Sequence, residues 1–341
     1  MPKTIISAVK RTIFFYKILL AIVLLIIIGC GGGHTGGGDV DNDINPSADS
    51  FKFIILSDIH VRIPGNPDYD NNYYPSNLSN FSDALALIQK DHSDADFVVT
   101  NGDNVGCLFS SNVADYGVGI DNPAERFKTI MDSLGKPYYV TLGNHDYEDG
   151  FNTIPRPEGI TSDDPAAMEA IWKKVLGIDP YYSFVHKGIR FIVLNSVHGP
   201  DYSTVCPVST YEKSCKGSFY DDQINWLETE LQKTDTLFCL IFLHHPVITD
   251  NNSTKQWSAL GVGVLGEAFQ LRRSDPFYTV VQTYKDKIKG IFVGHGHMKQ
   301  NDMLDSTIPV YETASIGDAN GSSSNIRVVW MDPYTGTMLT K

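Results

Sequence analysis

Histidine, aspartate and asparagine residues occur in short clusters, and each cluster directly follows an apolar run. In chain order the clusters are Asp58-Ile59-His60, Gly102-Asp103, Gly143-Asn144-His145-Asp146, His244-His245 and Gly294-His295-Gly296-His297. Carboxylate and amide oxygens combined with imidazole nitrogens suit manganese, iron or zinc, whereas magnesium prefers oxygen ligands and water. A single cluster of this kind is typical of a turn. The whole set, with each member closing an apolar run, predicts a metal site.

Alternating strands and helices are predicted from residue 51 onward, and they place these clusters. Apolar runs predict strands at 51–56, 96–100, 137–142, 237–243, 291–293, 310–313 and 326–331, with a hairpin joining 181–185 to 189–195. Helical spacing of apolar residues predicts helices at 78–89, 124–134, 166–176 and 223–232. This alternation predicts an α/β fold with sheets covered by helices. Because ligands of open α/β sheets collect at the carboxyl ends of strands, we expect the clusters to meet there.

The composition excludes several classes of protein. The 341 residues are 42% hydrophobic and 11% aromatic, which is enough for a sizeable core. The formal net charge of −13 argues against a binder of duplex nucleic acid, because such binding depends on clustered lysine and arginine. Five cysteines are too few for a disulfide scaffold, and the lack of a CxxC pair excludes a zinc ribbon. Cys206 and Cys215 lie close together in a polar segment, where export would permit a disulfide.

Residues 1–29 have the pattern of an export signal. Basic residues precede an apolar run at 18–28, which is shorter than the ~20 residues of a membrane-spanning helix. The run ends in Ile27-Ile28-Gly29-Cys30, which resembles a bacterial lipobox, where a peptidase cuts before the cysteine and the thiol carries lipid. The segment predicts an exported lipoprotein that is anchored to a membrane through Cys30 and faces the periplasm or the cell exterior. A simple membrane anchor is the alternative.

The rest of the chain is expected to be one domain behind a tether. Residues 30–50 are rich in glycine, aspartate and asparagine, so they are expected to form a flexible tether. Length alone allows two or three domains of roughly 150 residues each. The regular alternation of elements, without a repeat or a second linker, favours a single domain over residues 51–341.

The set of clusters resembles the motifs of the calcineurin-like metallophosphoesterase family, from about residue 51 to about residue 315. The resemblance implies a four-layer α/β/β/α sandwich of two mixed β-sheets flanked by helices, with two divalent metal ions at the strand ends. Carried over residue by residue, one ion would be held by Asp58, His60 and His297, the other by Asn144, His244 and His295, and Asp103 would bridge the two. His244 is selected over His245 because the family places its ligand two residues before the proline, which is Pro246 here.

The resemblance also implies roles for the two residues after Asn144. In the family the histidine of this motif faces the substrate, so His145 would protonate the leaving oxygen or stabilise charge there. Asp146 would hold the His145 ring in the useful tautomer. Neighbouring side chains of extended backbone point to opposite sides, which would separate His145 from Asn144. By the same periodicity His295 and His297 would lie on one face.

Two departures from the purple acid phosphatase pattern narrow the choice of branch within the family. Purple acid phosphatases carry a tyrosine three residues after the bridging aspartate, where this chain has Gly106, and their first motif is DxG rather than DxH. The chain therefore resembles the DxH branch, which includes cyclic-nucleotide and glycerophosphodiester phosphodiesterases and pyrophosphohydrolases. The resemblance implies attack on a phosphate ester by a hydroxide that bridges the two ions. A phosphodiesterase acting on a small phosphodiester or nucleotide is favoured over a phosphomonoesterase or pyrophosphohydrolase. The alternative of another class is an inactive surface binding protein on the same fold.

Two further residues are candidates for substrate binding. Arg62 lies two residues beyond His60 and would contact a phosphate bidentately, although a surface arginine is an equal alternative. His198 follows a predicted strand and would reach the cleft, with a structural role as the alternative. The sequence leaves the oligomeric state open.

Overall fold

The computed structural model describes residues 46–62, 77–108, 122–148, 164–202, 215–250, 269–317 and 321–341. Residues 46–341 form one compact unit, in which Ser47 already bonds to Asp332 (Ser47 Oγ to Asp332 Oδ2, 2.8 Å). The export signal and Cys30 lie outside the described residues. Within the ranges above, no helix is both long and apolar enough to span a bilayer.

Strands and helices alternate over the first two thirds of the unit, as the periodicity predicts. The strands are β1 (Phe51–Leu56), β2 (Phe97–Asn101), β3 (Tyr138–Thr141), β4 (Tyr182–His186), β5 (Ile189–Val193), β6 (Phe238–Phe242), β7 (Ile288–Val293), β8 (Gln300–Leu304), β9 (Ile308–Glu312), β10 (Arg327–Met331) and β11 (Met338–Thr340). The α-helices are α1 (Asn77–Asp91), α2 (Pro123–Asp132), α3 (Pro165–Leu176), α4 (Asp221–Gln232) and α5 (Phe277–Thr283). A short 3₁₀ helix covers Asn144–Tyr147.

The strands form two mixed sheets. The first sheet has the order β11-β10-β1-β2-β3, in which β1, β2 and β3 are parallel, β10 is antiparallel to β1, and β11 is antiparallel to β10. The second has the order β4-β5-β6-β7-β9-β8, with four parallel central strands and an antiparallel strand at each edge. The parallel strands carry their carboxyl ends to a common edge of each sheet.

Three clusters of apolar side chains hold these sheets and helices together. Aromatic side chains fill the space between the two sheets, where the ring of Phe53 lies 5.5 Å from that of Phe191 and 6.3 Å from that of Phe242. A second cluster joins the first sheet to α1, α2 and α3, and a third joins the second sheet to α4 and α5. The predicted sandwich of two mixed sheets flanked by helices is confirmed.

Several short elements are not predicted by the sequence patterns. Helix α5 has only seven residues and contains two valines and two threonines, so it lacks a helical signature. Strand β8 reads QNDML and lies at a sheet edge, where no apolar alternation is required. Strand β11 has three residues. The sequence patterns find the elements that contribute most to the core and miss those at the margins.

Candidate metal centre

The loops that follow β1, β2, β3, β6 and β7 meet at one end of the sandwich. The Asp58 amide donates to the Gly102 carbonyl at 3.1 Å, which joins the loops after β1 and β2. The Gly294 amide donates to the His244 carbonyl at 2.9 Å, which joins the loops after β6 and β7. The His295 amide donates to both carboxylate oxygens of Asp58, at 3.2 and 3.1 Å, and so connects the two sheets. The expected convergence of the clusters is therefore present.

Backbone strain is concentrated at these loops. Most non-glycine residues with left-handed φ among the described ranges are predicted ligands, namely Asp58 (50°), His60 (52°), Asp103 (50°), His295 (66°) and His297 (55°). Such backbone costs of order 1–3 kcal/mol per residue and persists where the surroundings enforce it, commonly at functional sites. His295 and His297 therefore reach the centre from a tight turn rather than from the extended segment that we expected.

Two glycines allow the loops to approach closely. A Cβ on Gly102 would overlap the His244 ring, and a Cβ on Gly143 would overlap the Asp103 carboxylate. Glycine before Asp103 and before Asn144 is therefore a steric requirement of the centre.

The first ligand group consists of Asp58, His60, Asp103 and His297, whose ligand atoms all lie within 4.8 Å of one another. The two Nε2 atoms of His60 and His297 are 3.3 Å apart. Asp58 Oδ1 lies 3.3 Å from His297 Nε2, and Asp103 Oδ2 lies 3.9 Å from His60 Nε2. These are the residues that the resemblance assigned to one ion, together with the bridging aspartate.

The second ligand group consists of Asp103, Asn144, His244 and His295. The ligand atoms of its three ionisable members also lie within 4.8 Å of one another. His244 Nε2 is 3.3 Å from Asp103 Oδ2, 3.1 Å from Asn144 Oδ1 and 3.1 Å from His295 Nδ1. Asp103 Oδ2 thus faces both groups, which is the position that a bridging carboxylate must have.

Charge within the centre favours an anionic Asp103 and neutral rings at His60 and His295. Burial acts to raise the pKa of Asp103, but His244 and His145 beside it hold that pKa well below its usual range. Burial, with the nearby imidazoles, lowers the pKa of His60 and of His295 well below the ordinary value. Burial also acts to lower the pKa of His244, but the Asp103 carboxylate outweighs it and raises that pKa to about 8.

Backbone carbonyls fix the tautomers of the second group. His244 Nδ1 lies 2.8 Å from the Asn101 carbonyl and His295 Nε2 lies 3.1 Å from the Cys215 carbonyl. A carbonyl only accepts, so each of these ring nitrogens carries a proton and the other ring nitrogen faces the centre. Cys215 is in a disulfide whose second cysteine lies outside the described residues, as Cys206 does.

This donor set fits bound divalent ions. His244 Nε2 and His295 Nδ1 face each other at 3.1 Å although each ring already carries its proton on the opposite nitrogen. Two lone pairs at that distance repel unless a proton or a cation lies between them. Imidazole nitrogens combined with carboxylate and amide oxygens suit manganese, iron or zinc.

His145 lies beside the first ligand group but bonds away from it. Its ring centroid is 4.8 Å from that of His60, while its Nδ1 is 3.1 Å from the Gly106 carbonyl and 3.3 Å from Glu148 Oε2. Because a carbonyl only accepts, Nδ1 carries a proton. Asn144 and His145 do separate, but through the 3₁₀ helix and not through extended backbone.

The expected contact between Asp146 and the His145 ring is absent, and this prediction is corrected. The Asp146 carboxylate accepts the Gly143 amide and the Asn104 side-chain amide, both at 2.8 Å, and the Val105 amide at 3.0 Å. Three donors from the loops occupy both of its oxygens, so Asp146 joins the loops after β2 and β3. Glu148 and the Gly106 carbonyl take the place beside the ring.

The remaining predicted residues have defined places. His245 is buried and its Nδ1 bonds to Ser196 Oγ at 2.9 Å, whereas His244 belongs to the second ligand group. Arg62 is buried against Gly106, where an added Cβ would overlap its guanidinium. His198 pairs with Glu169 (Nδ1 to Oε1, 2.8 Å), and that carboxylate also accepts from the Tyr147 hydroxyl at 2.9 Å. These His198 contacts match the structural alternative.

Two carboxylates near the centre are missed by sequence reasoning. Glu148 follows the third cluster by two positions, but no spacing rule marks it as the partner of His145. Glu312 ends β9, next to the last residue of β7 in the sheet. The one available signal for Glu312 is a polar residue at a strand end, the signal that marks the other ligands.

A two-sheet sandwich with nitrogen and oxygen ligands converging at its strand ends is the arrangement expected of a metallophosphoesterase, a class of phosphoester hydrolases. A sequence model of the calcineurin-like phosphoesterase family matches residues 51–299, and the chain belongs to this family. The family is binuclear and metal-dependent, in agreement with the two ligand groups.

Two relatives illustrate the range of similar proteins. The chain is 22% identical over 259 residues to the 3',5'-cyclic adenosine monophosphate phosphodiesterase CpdA of Vibrio vulnificus, covering 75% of this chain and 73% of that protein. The crystal structure of a dimetal phosphatase from Danio rerio superposes with a TM-score of 0.53 and 14% identity, over 87% of this chain and 99% of that one. The second likeness supports the fold alone.

Proposed function

We propose that the protein is a two-metal phosphodiesterase that hydrolyses a small phosphodiester or nucleotide. The observation that carries this proposal is Asp103, whose Oδ2 atom lies 3.9 Å from His60 Nε2 in one ligand group and 3.3 Å from His244 Nε2 in the other. A shared carboxylate holds two cations close enough to act on one phosphate.

Side chains of the protein would transfer the proton and contact the phosphate. Two divalent ions, when bound, would polarise the phosphate and activate a water molecule. His145 is held at Nδ1 by the Gly106 carbonyl, and its doubly protonated ring would give the Nε2 proton to the leaving oxygen. Arg62, buried beside Gly106, is the candidate for a contact to a phosphate oxygen.

Preference for a diester is supported by two observations. The first motif is Asp58-Ile59-His60, a DxH sequence, and Gly106 stands where the purple acid phosphatases carry a tyrosine. The similar Vibrio vulnificus protein is a cyclic nucleotide phosphodiesterase, at 22% identity. Cyclic and glycerol-type phosphodiesters are therefore the first substrates to test.

The test combines metal analysis with a substrate panel. Purified protein loaded with manganese is assayed on bis-nitrophenyl phosphate, nitrophenyl phosphate, a cyclic nucleotide, a glycerophosphodiester and pyrophosphate. We expect two ions per chain and faster turnover of the diesters. Faster turnover of nitrophenyl phosphate or pyrophosphate would instead identify a phosphomonoesterase or a pyrophosphohydrolase. Protein that binds no ion and turns over none of these substrates would be a binding protein on the same fold.

We also propose that the enzyme is an exported lipoprotein carrying lipid on Cys30. The support is the sequence alone, namely the basic start, the apolar run at 18–28 and Gly29-Cys30. Mass spectrometry of the protein expressed from its full-length sequence in a bacterial host should show cleavage before Cys30 and a lipid-modified thiol, and Cys30→Ser should remain uncleaved. An unmodified Cys30 in the parent protein would rule out this anchor.

A further inference from the structure

The turn that carries the last two ligands is bonded to other loops through the amides of its first two residues, Gly294 and His295. Gly294-His295-Gly296-His297 follows β7, and the Gly296 amide donates to the Gly294 carbonyl at 2.7 Å. His295 and His297 both have left-handed φ, at 66° and 55°. One residue separates a ligand of the second group from a ligand of the first. A small rotation of this turn would therefore move both imidazoles.

The Glu312 side chain lies directly on this turn. Its carboxylate is buried, and a Cβ on Gly296 would overlap its Oε1 atom. The carboxylate also accepts the Met298 amide, and its Oε2 lies 3.2 Å from Gln300 Nε2. Glu312 thus contacts the residues on both sides of His297.

Glu312 is itself held in place by both sheets. Its backbone pairs with Val293 in the parallel ladder of β7 and β9. Its carbonyl accepts from Arg327 Nη2 at 2.6 Å, and Arg327 belongs to β10 of the first sheet. The same guanidinium donates to the Gln300 carbonyl at 3.1 Å. The carboxylate is therefore presented to the turn from a rigid frame.

We propose that Glu312 is a positioning residue that fixes the Gly294–His297 turn, so that His295 and His297 each reach a different metal ion. A buried carboxylate is a costly way to fill space, so its bond to the Met298 amide and its contact with Gly296 account better for its presence. Partners behind metal ligands commonly determine how well an ion is held. This inference rests on the two-metal centre proposed above.

The test measures metal affinity rather than turnover. Metal-free parent protein, Glu312→Ala and Glu312→Gln are titrated with Co²⁺, and the visible absorption reports ion number, affinity and coordination. We expect Glu312→Ala to weaken Co²⁺ binding by about 10–100-fold and to change the spectrum. Glu312→Gln should retain most of the affinity, because an amide oxygen can still accept the Met298 amide.

Glu230→Ala is the matched control. Glu230 is another buried carboxylate, but it bonds to Arg190 (2.9 Å) and Ser183 (2.8 Å) and takes no part in either ligand group. This variant should lower the melting temperature while leaving Co²⁺ affinity and spectrum unchanged. A loss of affinity of similar size in Glu230→Ala would mean that general destabilisation explains the result, and would overturn the inference.

A double-mutant cycle covers the case in which Glu312→Ala folds poorly. Gly296→Ala places a methyl group against the carboxylate and should weaken Co²⁺ binding in the parent. The effect should be much smaller when position 312 carries serine, whose side chain is shorter. Equal effects in the Glu312 and Glu312→Ser backgrounds would contradict the proposed contact. If the parent binds two ions and Glu312→Ala binds them equally well, the inference about Glu312 is wrong and the proposed two-metal function is unaffected. If the parent binds none, the two-metal function fails with it.

Discussion

The two ligand groups share Asp103 but differ in how their other members are held. In the second group, His244 and His295 each have a backbone carbonyl behind the ring, and Asn144 is buried at the end of β3. In the first group, the His297 side chain is 20% exposed. Its ring reaches the centre from the Gly294–His297 turn, on which the Glu312 side chain lies. Similar ligand types therefore include two rings bonded to backbone carbonyls in the second group and a partly exposed ring in the first.

This difference predicts unequal exchange of the two ions. A partly exposed ligand moves more readily than a buried one whose ring bonds to the backbone. The ion of the first group is therefore expected to leave first under chelation. The predictions below separate the groups, beginning with the residue that they share.

Asp103→Asn should have the largest effect, because one substitution weakens the ligand that both groups share. We expect kcat to fall by about 10³-fold or more, at ~1.4 kcal/mol of barrier for each tenfold. The number of ions bound per chain should fall well below that of the parent, and plasma mass spectrometry measures this number directly. Near-parental turnover with both ions bound would remove Asp103 from the centre.

His145→Ala and Asn144→Ala form a matched pair of neighbouring residues with different expected effects. His145→Ala should retain both ions and lose kcat by ~10²–10⁴, with a smaller loss on nitrophenyl esters, whose leaving group needs little protonation. Asn144→Ala should lower occupancy of the second group and slow all substrates alike. Metal content measured beside rates on good and poor leaving groups decides between them. Loss of metal from His145→Ala would show that this residue is a ligand.

Metal affinity of the second group should rise with pH up to about 8. Burial lowers the pKa of His244, but the Asp103 carboxylate outweighs this effect and raises that pKa to about 8. Below that pKa an incoming ion must displace the His244 proton, which costs about tenfold in affinity per pH unit. The folded pKa lies above the ordinary value of 6.5, so the His244–Asp103 contact stabilises the metal-free fold fully below pH 6.5. That contribution is lost as the pH rises through about 8.

His60 of the first group should not add such a step, because burial holds its pKa well below the ordinary value and the ring is already neutral. Co²⁺ titrations across this pH range would therefore resolve two binding events with different pH dependence. Two events with the same slope would contradict the assigned protonation states.

The smallest expected effect concerns the disulfide at Cys215. Its carbonyl accepts from His295 Nε2 at 3.1 Å, so freeing this residue from its disulfide should loosen one support of the second group. Reduction with a dithiol should weaken the second ion by a few-fold and leave the first unchanged, as equilibrium dialysis against manganese would show. Cys215→Ser without reductant should reproduce the effect. An unchanged second ion in both cases would mean that the backbone holds the carbonyl unaided.

The sequence predicts the core of this fold and the residues that meet at its strand ends for a physical reason. Buried parallel strands require apolar runs, and the residue types that end those runs, such as Asp58 and His244, remain visible in the pattern. Contacts made between elements leave no such trace. Asp146 is next to His145 in sequence yet bonds to other loops, while Glu148 reaches the ring from one helical turn further on. The left-handed turns at Asp58 and His297 likewise follow from packing around them and not from residue type.

The bond between the His295 amide and the Asp58 carboxylate joins residues that are 237 positions apart in the chain. Contacts of such separation form late in folding, because the entropy of closing a long loop must be offset first. The first ligand group therefore cannot exist until both sheets have formed, and a divalent ion would bind the native state rather than the unfolded chain. A higher concentration of free metal should then raise the melting temperature by mass action, because the ion stabilises only chains that have completed the sandwich.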